Sequence, residues 1–379
     1  MKHVKIESLD SMRGIAALLV VFYHIGWNYS LRDWEIVRGG YLMVDFFFVL
    51  SGFVIALSSS NKLNSFGELK NFLYKRLIRL YPVHLFFMLI FVGYELIKLT
   101  IHYVNPVLLS GVPFTGNNSL DSLALNVFLA HGWGGVDYLS WNSPSWSISV
   151  ELLVYLFFAV SLLIFGRFGK RLHLFISIVS VFYIVTNYPS LNVNIQGGLV
   201  RCISGFFVGV VTYNIYSSKL ILNFRSIMSK RNSTILDFLQ LLCMASFIFV
   251  VYLHDKLSGV EFFIIPISAC LVFLLAIYDG LLVRFLCMKP LQHLGKMSYS
   301  IYLSHMIIVI IVYSFIKFIF DYSTVDNVLV LNPIYANVCA LLVFTVVVFT
   351  SYFSHKYIEV RFTNYLKKIT FNSIIKVYK

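Results

Sequence analysis

Residues 12–24 read MRGIAALLVVFYH: Arg13 opens an apolar run and His24 closes it, with ten residues between them. Eleven helical steps of ~1.5 Å separate the two by about 16 Å. A hydrocarbon core is ~30 Å thick. With Arg13 at one membrane surface, His24 therefore falls near the midplane. An ionisable side chain at that depth is costly and marks a functional site.

The rest of the chain supports a membrane setting. Of its 379 residues, 59% are hydrophobic and only 12% charged, and the mean hydropathy is +0.81. A soluble domain carries about 25% charged residues. Ten apolar stretches emerge: Met12–Ser30, Tyr41–Ser59, Leu80–Leu99, Trp146–Phe165, Leu172–Tyr188, Gly197–Tyr216, Ile235–Leu253, Glu261–Ile277, Ser298–Phe320 and Tyr335–His355. The expected fold is all-α and polytopic, one transmembrane domain over residues 1–379 with no appended soluble domain. The five cysteines show no CxxC pair, and their odd number argues against a pure disulfide framework. Gly205 and Gly209, four apart, read as close helix packing.

Orientation follows from charge. With the N-terminus inside, all of the 30 lysines and arginines fall in inner segments except Arg32, Arg38, Lys98, Arg201, Lys256 and Lys317. By the positive-inside rule both termini are then cytoplasmic. The net charge of +13 is an insertion signal plus attraction to anionic lipid, not a nucleic-acid footprint.

Two further stretches stand out. Arg76 and Arg79 in RLIR are three apart, on one helix face and on the same side as Arg13, where two guanidiniums can grip phosphate. The connection from Thr100 to Ser145 faces outside and carries His102, Asp121, His131, Asp137, Trp133 and Trp141. Aromatics among polar groups suit sugar stacking, and equally an interfacial belt.

Five ordered motifs then carry a resemblance. Leu9-Asp10-Ser11-Met12-Arg13-Gly14 with His24, the run Val44-Asp45-Phe46 to Gly52-Phe53, Arg76 to Pro82, Pro144-Ser145-Trp146 to Glu151, and Gly295 to His305 together resemble the acyltransferase 3 family, from about Ser8 to about Ile358. That resemblance implies an integral membrane enzyme of the bacterial cytoplasmic membrane. It would move an acyl group, often acetyl from acetyl-CoA, onto a carbohydrate outside the cytoplasm. Acyl-CoA is the donor substrate; no tightly bound cofactor and no metal are expected.

Under that reading His24 is the base for the attacking hydroxyl; an acyl-imidazole is the less favoured route. Arg13, Arg76 and Arg79 hold donor phosphates at the inner mouth. Ser298, Tyr299 and His305 line the donor tunnel or serve helix packing. Asp45 and Glu151, both expected toward the outer side, orient His24, bind acceptor hydroxyls, or pair with Arg201. Trp146 and Arg201 are the expected acceptor contacts, with a belt role open for Trp146. A transporter or flippase for a lipid-linked sugar could also have ten spans and buried charges. Such folds more often show inverted repeats and broken midplane helices, and no repeat is evident here.

Overall fold

The computed structural model describes residues 6–60, 63–106, 111–228, 233–320, 324–325 and 328–368. Lys2, Lys5, Lys62, Lys230, Arg231, Lys376 and Lys379 of the charge count lie outside them. Among the described residues, ten helices of 14 residues or more build the fold: α1 (Glu7–Tyr23), α2 (Met43–Ser59), α3 (Phe66–Val104), α4 (Trp146–Phe165), α5 (Gly169–Asn187), α6 (Gly198–Tyr216), α7 (Thr234–Leu253), α8 (Ile264–Ile277), α9 (Lys289–Phe320) and α10 (Pro333–Phe353). Nine helical segments among the described residues, those containing α2 to α10, are long and apolar enough to cross a membrane. The protein is thus an all-α polytopic membrane protein. The strand pairing among the described residues is two residues long, Thr324–Val325 against Val328–Leu329.

The first span differs from its expected extent, Met12–Ser30. α1 runs from Glu7 to Tyr23, and His24 is its C-cap. The chain then leaves helical geometry and is pinned laterally. Asn28 N–H donates to Leu329 O at 3.1 Å, and Leu329 N–H to Gly26 O at 3.2 Å. The buried Trp27 indole donates to Ala336 O at 2.9 Å. These bonds satisfy the backbone beyond the helix end, which an apolar surrounding demands. α9, by contrast, continues for 32 residues, ~48 Å at ~1.5 Å each. His305 sits about halfway along it and faces the end of α1 across a ring contact. His24 thus ends its helix level with the middle of α9.

α3 is also longer than the expected Leu80–Leu99, at 39 residues. Ser65 caps it by accepting from Glu68 N–H at 3.3 Å, and the Glu68 carboxylate reaches back past the cap to accept from Asn64 N–H at 2.8 Å. Arg76, Arg79 and Pro82 consequently belong to one continuous helix.

Small residues set the closest crossings. α1 packs chiefly on α9 and α2 on α6. A methyl group at Gly14 would sit 2.6 Å from the backbone of Leu294 and Gly295. Gly52 of α2 and Gly205 and Gly209 of α6 leave no room for a Cβ against the facing backbone or side chains. Between these crossings run fully buried aromatics, including Phe46, Phe48, Phe53, Phe158 and Phe206. Packing of small residues is what holds helices together where lipid removes the hydrophobic driving force.

Candidate active site

Helices α1, α2, α3, α4 and α9 enclose a cavity with about 850 Å³ of empty space including its mouth. It gathers residues from all five motifs: Arg13, Ser51, Arg76, Arg79, Glu151, Ser298 and Tyr299 all line it. Arg76 and Arg79 also line a second, wider cleft with Ser58, Ser59, Lys75, Glu359 and Lys367. The two arginines thus stand where an open vestibule meets an inner chamber. Only part of their hydrogen-bonding capacity is used. Arg76 donates to Ser58 Oγ at 3.2 Å and lies 5.3 Å over the Phe72 ring, while its buried Nε has no partner among the described residues. Arg13 is held by Asp10 at 3.1 Å. Three guanidiniums and one carboxylate, Glu151, make this chamber a natural seat for a polyanion.

Sequence reasoning missed three cavity residues. Ser51 and Tyr155 share a hydrogen bond at 2.9 Å. Tyr302 is fixed by Pro144 O at 3.0 Å and Ser147 Oγ at 2.9 Å. Tyr302 was findable: it lies one turn beyond Ser298 on the face that leads to His305.

His24 and His305 lie beyond the chamber wall. Their ring centroids are 4.9 Å apart, and Tyr302 is 5.8 Å from His305. His24 Nδ1 lies 2.9 Å from Val20 O. A carbonyl only accepts, so Nδ1 carries the proton and the Nε2 lone pair of the neutral ring is left available. Both ring nitrogens of His305 are buried without a hydrogen bond among the described residues.

Of the roles open to Asp45, the structure shows the pair with Arg201, and Trp146 packs beside it. Asp45 accepts two bonds from Arg201, Nε at 2.9 Å and Nη2 at 2.6 Å. Arg201 also donates to Val193 O and Tyr41 O, and lies 5.8 Å from the Trp146 ring centroid. Trp146 is 6% exposed, its ring packed over Gly198. The pair is a buried clamp between α2 and α6. No hydrogen bond joins Asp45 to His24, and Trp146 and Arg201 offer an acceptor no free surface. Glu151 likewise sits among the arginines rather than beside His24. Of the two tryptophans in the expected aromatic loop, Trp141 turns inward, 3% exposed and donating to Ser122 Oγ at 3.0 Å, while Trp133 stays exposed.

At the opposite end a polar bowl of about 1730 Å³, open mouth included, is lined by Tyr23, Tyr29, Arg32, Tyr41, His254 and Glu261 among others. Tyr23 is its link to the imidazoles, 4.9 Å edge-on from His24 and 6.1 Å from Tyr41. Glu35, His254 and Asp255 come within 4.8 Å of one another at its rim. Arg38 and Lys256 already pair with the two carboxylates, which disfavours a further cation there.

These features describe a multi-pass helical membrane protein with a cation-lined chamber at one end, a polar bowl at the other, and paired imidazoles between. Residues 6–353 match the acyltransferase domain family. The chain belongs to this family of membrane acyltransferases. It is 27% identical to the O-acetyltransferase OatA of Staphylococcus aureus over 82% of this chain and 51% of that protein. It is 25% identical to the peptidoglycan O-acetyltransferase OatA of Listeria monocytogenes over 79% of this chain and 49% of that protein. The acyltransferase MdmB of Streptomyces mycarofaciens is 30% identical over 41% of this chain and 38% of its own. The chain thus spans about half the length of the OatA relatives. No solved structure matches it.

Proposed function

We propose that the protein is an O-acyltransferase of the bacterial cytoplasmic membrane, moving an acyl group, acetyl by family habit, from cytoplasmic acyl-CoA to a hydroxyl of a cell-surface glycan. The acceptor class includes O-antigen and exopolysaccharide, and the relatives' names add wall glycan to it. The observation that carries this reading is the place of His24, between the chamber through His305 and Tyr302 and the bowl through Tyr23.

In this reading the CoA phosphates rest on Arg76 and Arg79 at the vestibule, with Arg13 behind them, and the thioester end points through the chamber toward the imidazoles. Glu151 offsets the mutual repulsion of the guanidiniums when no polyanion is bound. His24 Nε2 takes the proton of an acceptor hydroxyl approaching from the bowl. The oxygen attacks the thioester carbonyl, the C–S bond breaks, and the imidazolium returns its proton to the leaving thiolate. Val20 O holds the productive tautomer throughout. His305 is a positioning residue that walls His24 from the opposite helix. Asp45 and Arg201 act at a distance, by fixing α2 against α6.

Purified protein, acetyl-CoA and an oligosaccharide acceptor, with mass spectrometry of the product, test the reading. Ester formation that His24→Ala abolishes supports it. Undiminished transfer by a well-folded His24→Ala protein, or surface glycans unchanged when the protein is removed, sinks it.

A further inference from the structure

The bowl holds a charge that the protein leaves unspent. Arg38 pairs with Asp255 at 3.0 Å. Glu261 accepts from Tyr41 at 2.5 Å and from Ser190 at 3.3 Å. Asp33 accepts from Tyr29 N–H at 2.5 Å. Among the described residues, the Arg32 guanidinium makes no hydrogen bond and no ion pair; only its backbone N–H is engaged, by Ser30 Oγ at 3.3 Å. Yet Arg32 is not a loose surface residue. It is partly buried in the bowl wall, and its charge bears on both Tyr23 and His24.

The turn that presents it is built. Tyr29 takes a left-handed φ of 61°, costly for a residue with a Cβ. That reversal is held by the Asp33 bond and by Asn337 Nδ2 donating to Tyr29 O at 3.3 Å. Trp27 anchors the preceding residues under α10. A guanidinium on such a fixed turn is organised before its partner arrives, which lowers the cost of binding. Its planar fork matches a carboxylate or a phosphate with two parallel bonds.

We infer that Arg32 is a specificity-determining residue that reads an anionic group on the acceptor, so the preferred glycan carries a carboxylate or phosphate close to the hydroxyl that is acylated. Tyr23, Tyr29 and Tyr41 supply ring faces for the neutral part of the sugar, and Arg32 fixes which hydroxyl is turned toward His24. The inference rests on the proposed acyl transfer for its biological meaning, but the recognition can be measured without any transfer.

The test uses the full-length His24→Ala protein in detergent, so that no turnover intervenes. Calorimetry compares a trisaccharide ending in glucuronate with its glucose counterpart and with its glucose 6-phosphate counterpart. At least one anionic form should bind about tenfold or more tighter than the neutral one, the usual strength of a charged hydrogen bond. The tighter of the two names the source of the anion. Adding Arg32→Gln should erase the preference while leaving affinity for the neutral sugar and the thermal midpoint unchanged, and Arg32→Lys should restore it in part. Equal binding of all three sugars, or a preference that survives Arg32→Gln, overturns the inference. Equal loss for charged and neutral sugars assigns Arg32 a merely structural role and overturns it too. Transfer by the wild-type protein is scored separately. Its absence would strike the proposed acylation and leave the binding result standing.

Discussion

The rings of His24 and His305 meet at 4.9 Å with their planes 55° apart, one capping the end of a 17-residue helix and the other midway along a 32-residue one. A helix that stops in the middle of a bundle leaves its last side chain at the tip, here between His305 on the chamber side and Tyr23 on the bowl side. His24→Ala should lower acyl transfer ~10²–10⁴-fold, the usual share of a general base, with little change in acyl-CoA affinity. His305→Gln should be milder and should not alter donor binding. Initial rates against both substrates check this; equal effects of the two substitutions would make His305 a second proton carrier.

The vestibule arginines predict a binding defect. Arg76→Ala or Arg79→Ala should weaken acyl-CoA binding by roughly 10–100-fold, the worth of a charge-assisted bond. Lysine should rescue only in part, because a point charge lacks the planar fork. Affinity should fall as salt rises. Calorimetry showing unchanged affinity in both alanine variants would place the phosphates elsewhere.

The Asp45–Arg201 clamp predicts a stability defect. Asp45→Ala strands a buried guanidinium and should cost ~3–5 kcal/mol. Removing both charges, as in Asp45→Leu with Arg201→Met, should cost less than Asp45→Ala alone. Thermal unfolding in detergent measures both. A stable but inactive Asp45→Ala protein would restore Asp45 to the chemistry.

His131 predicts acid sensitivity of the connection between α3 and α4. It is 2% exposed, and burial, helped by the nearby His84, pushes its imidazole down to about 4. The unfolded chain protonates near ~6.5. Between those values the unfolded state binds the extra proton, so stability is lost as pH falls from about 6.5 toward 4. The melting temperature should drop across that window, and His131→Gln should flatten the curve. An identical slope in the variant would assign the effect to other groups.

Sidedness predicts opposite reactivity of two exposed positions. Lys75 lies by the vestibule and Asn117 in the connection after α3. In a cysteine-free background, a membrane-impermeant thiol reagent added outside should label Asn117→Cys and not Lys75→Cys. Acyl-CoA should protect position 75 after the membrane is opened. Labelling of position 75 from outside would invert the topology.

The helical bundle was legible because apolar runs of membrane length have few other solutions. The grouping of Arg13, Arg76 and Arg79 was legible because charge bias put all three on one side, and they line one cavity; Glu151, expected toward the outer side, joins them there instead. What stayed hidden depends on geometry that no local pattern carries. Asp45 and Arg201 are 156 positions apart in the chain; the pair was one of three roles the sequence left open for Asp45, and nothing in either segment chose among them. The bowl is assembled from three separate loops whose polar residues look like ordinary interfacial positions. The early end of α1 depends on a bridge from Gly26 and Asn28 to Leu329, a partner some three hundred positions away.

That early end has an electrical consequence. Water entering the vestibule and the bowl would carry the electrolyte of each compartment deep into the protein, leaving a septum a few rings thick: Tyr302, His305, His24 and Tyr23. Most of the membrane voltage then falls across that septum, where moving one elementary charge through the full drop is worth about 2.3 kcal/mol per 100 mV. A proton picked up by His24 from one side and handed to a thiolate on the other does work against or with that field. The enzyme's turnover would then be coupled to the energised state of the cell, and the same four rings would have to act as an insulator against ion leak.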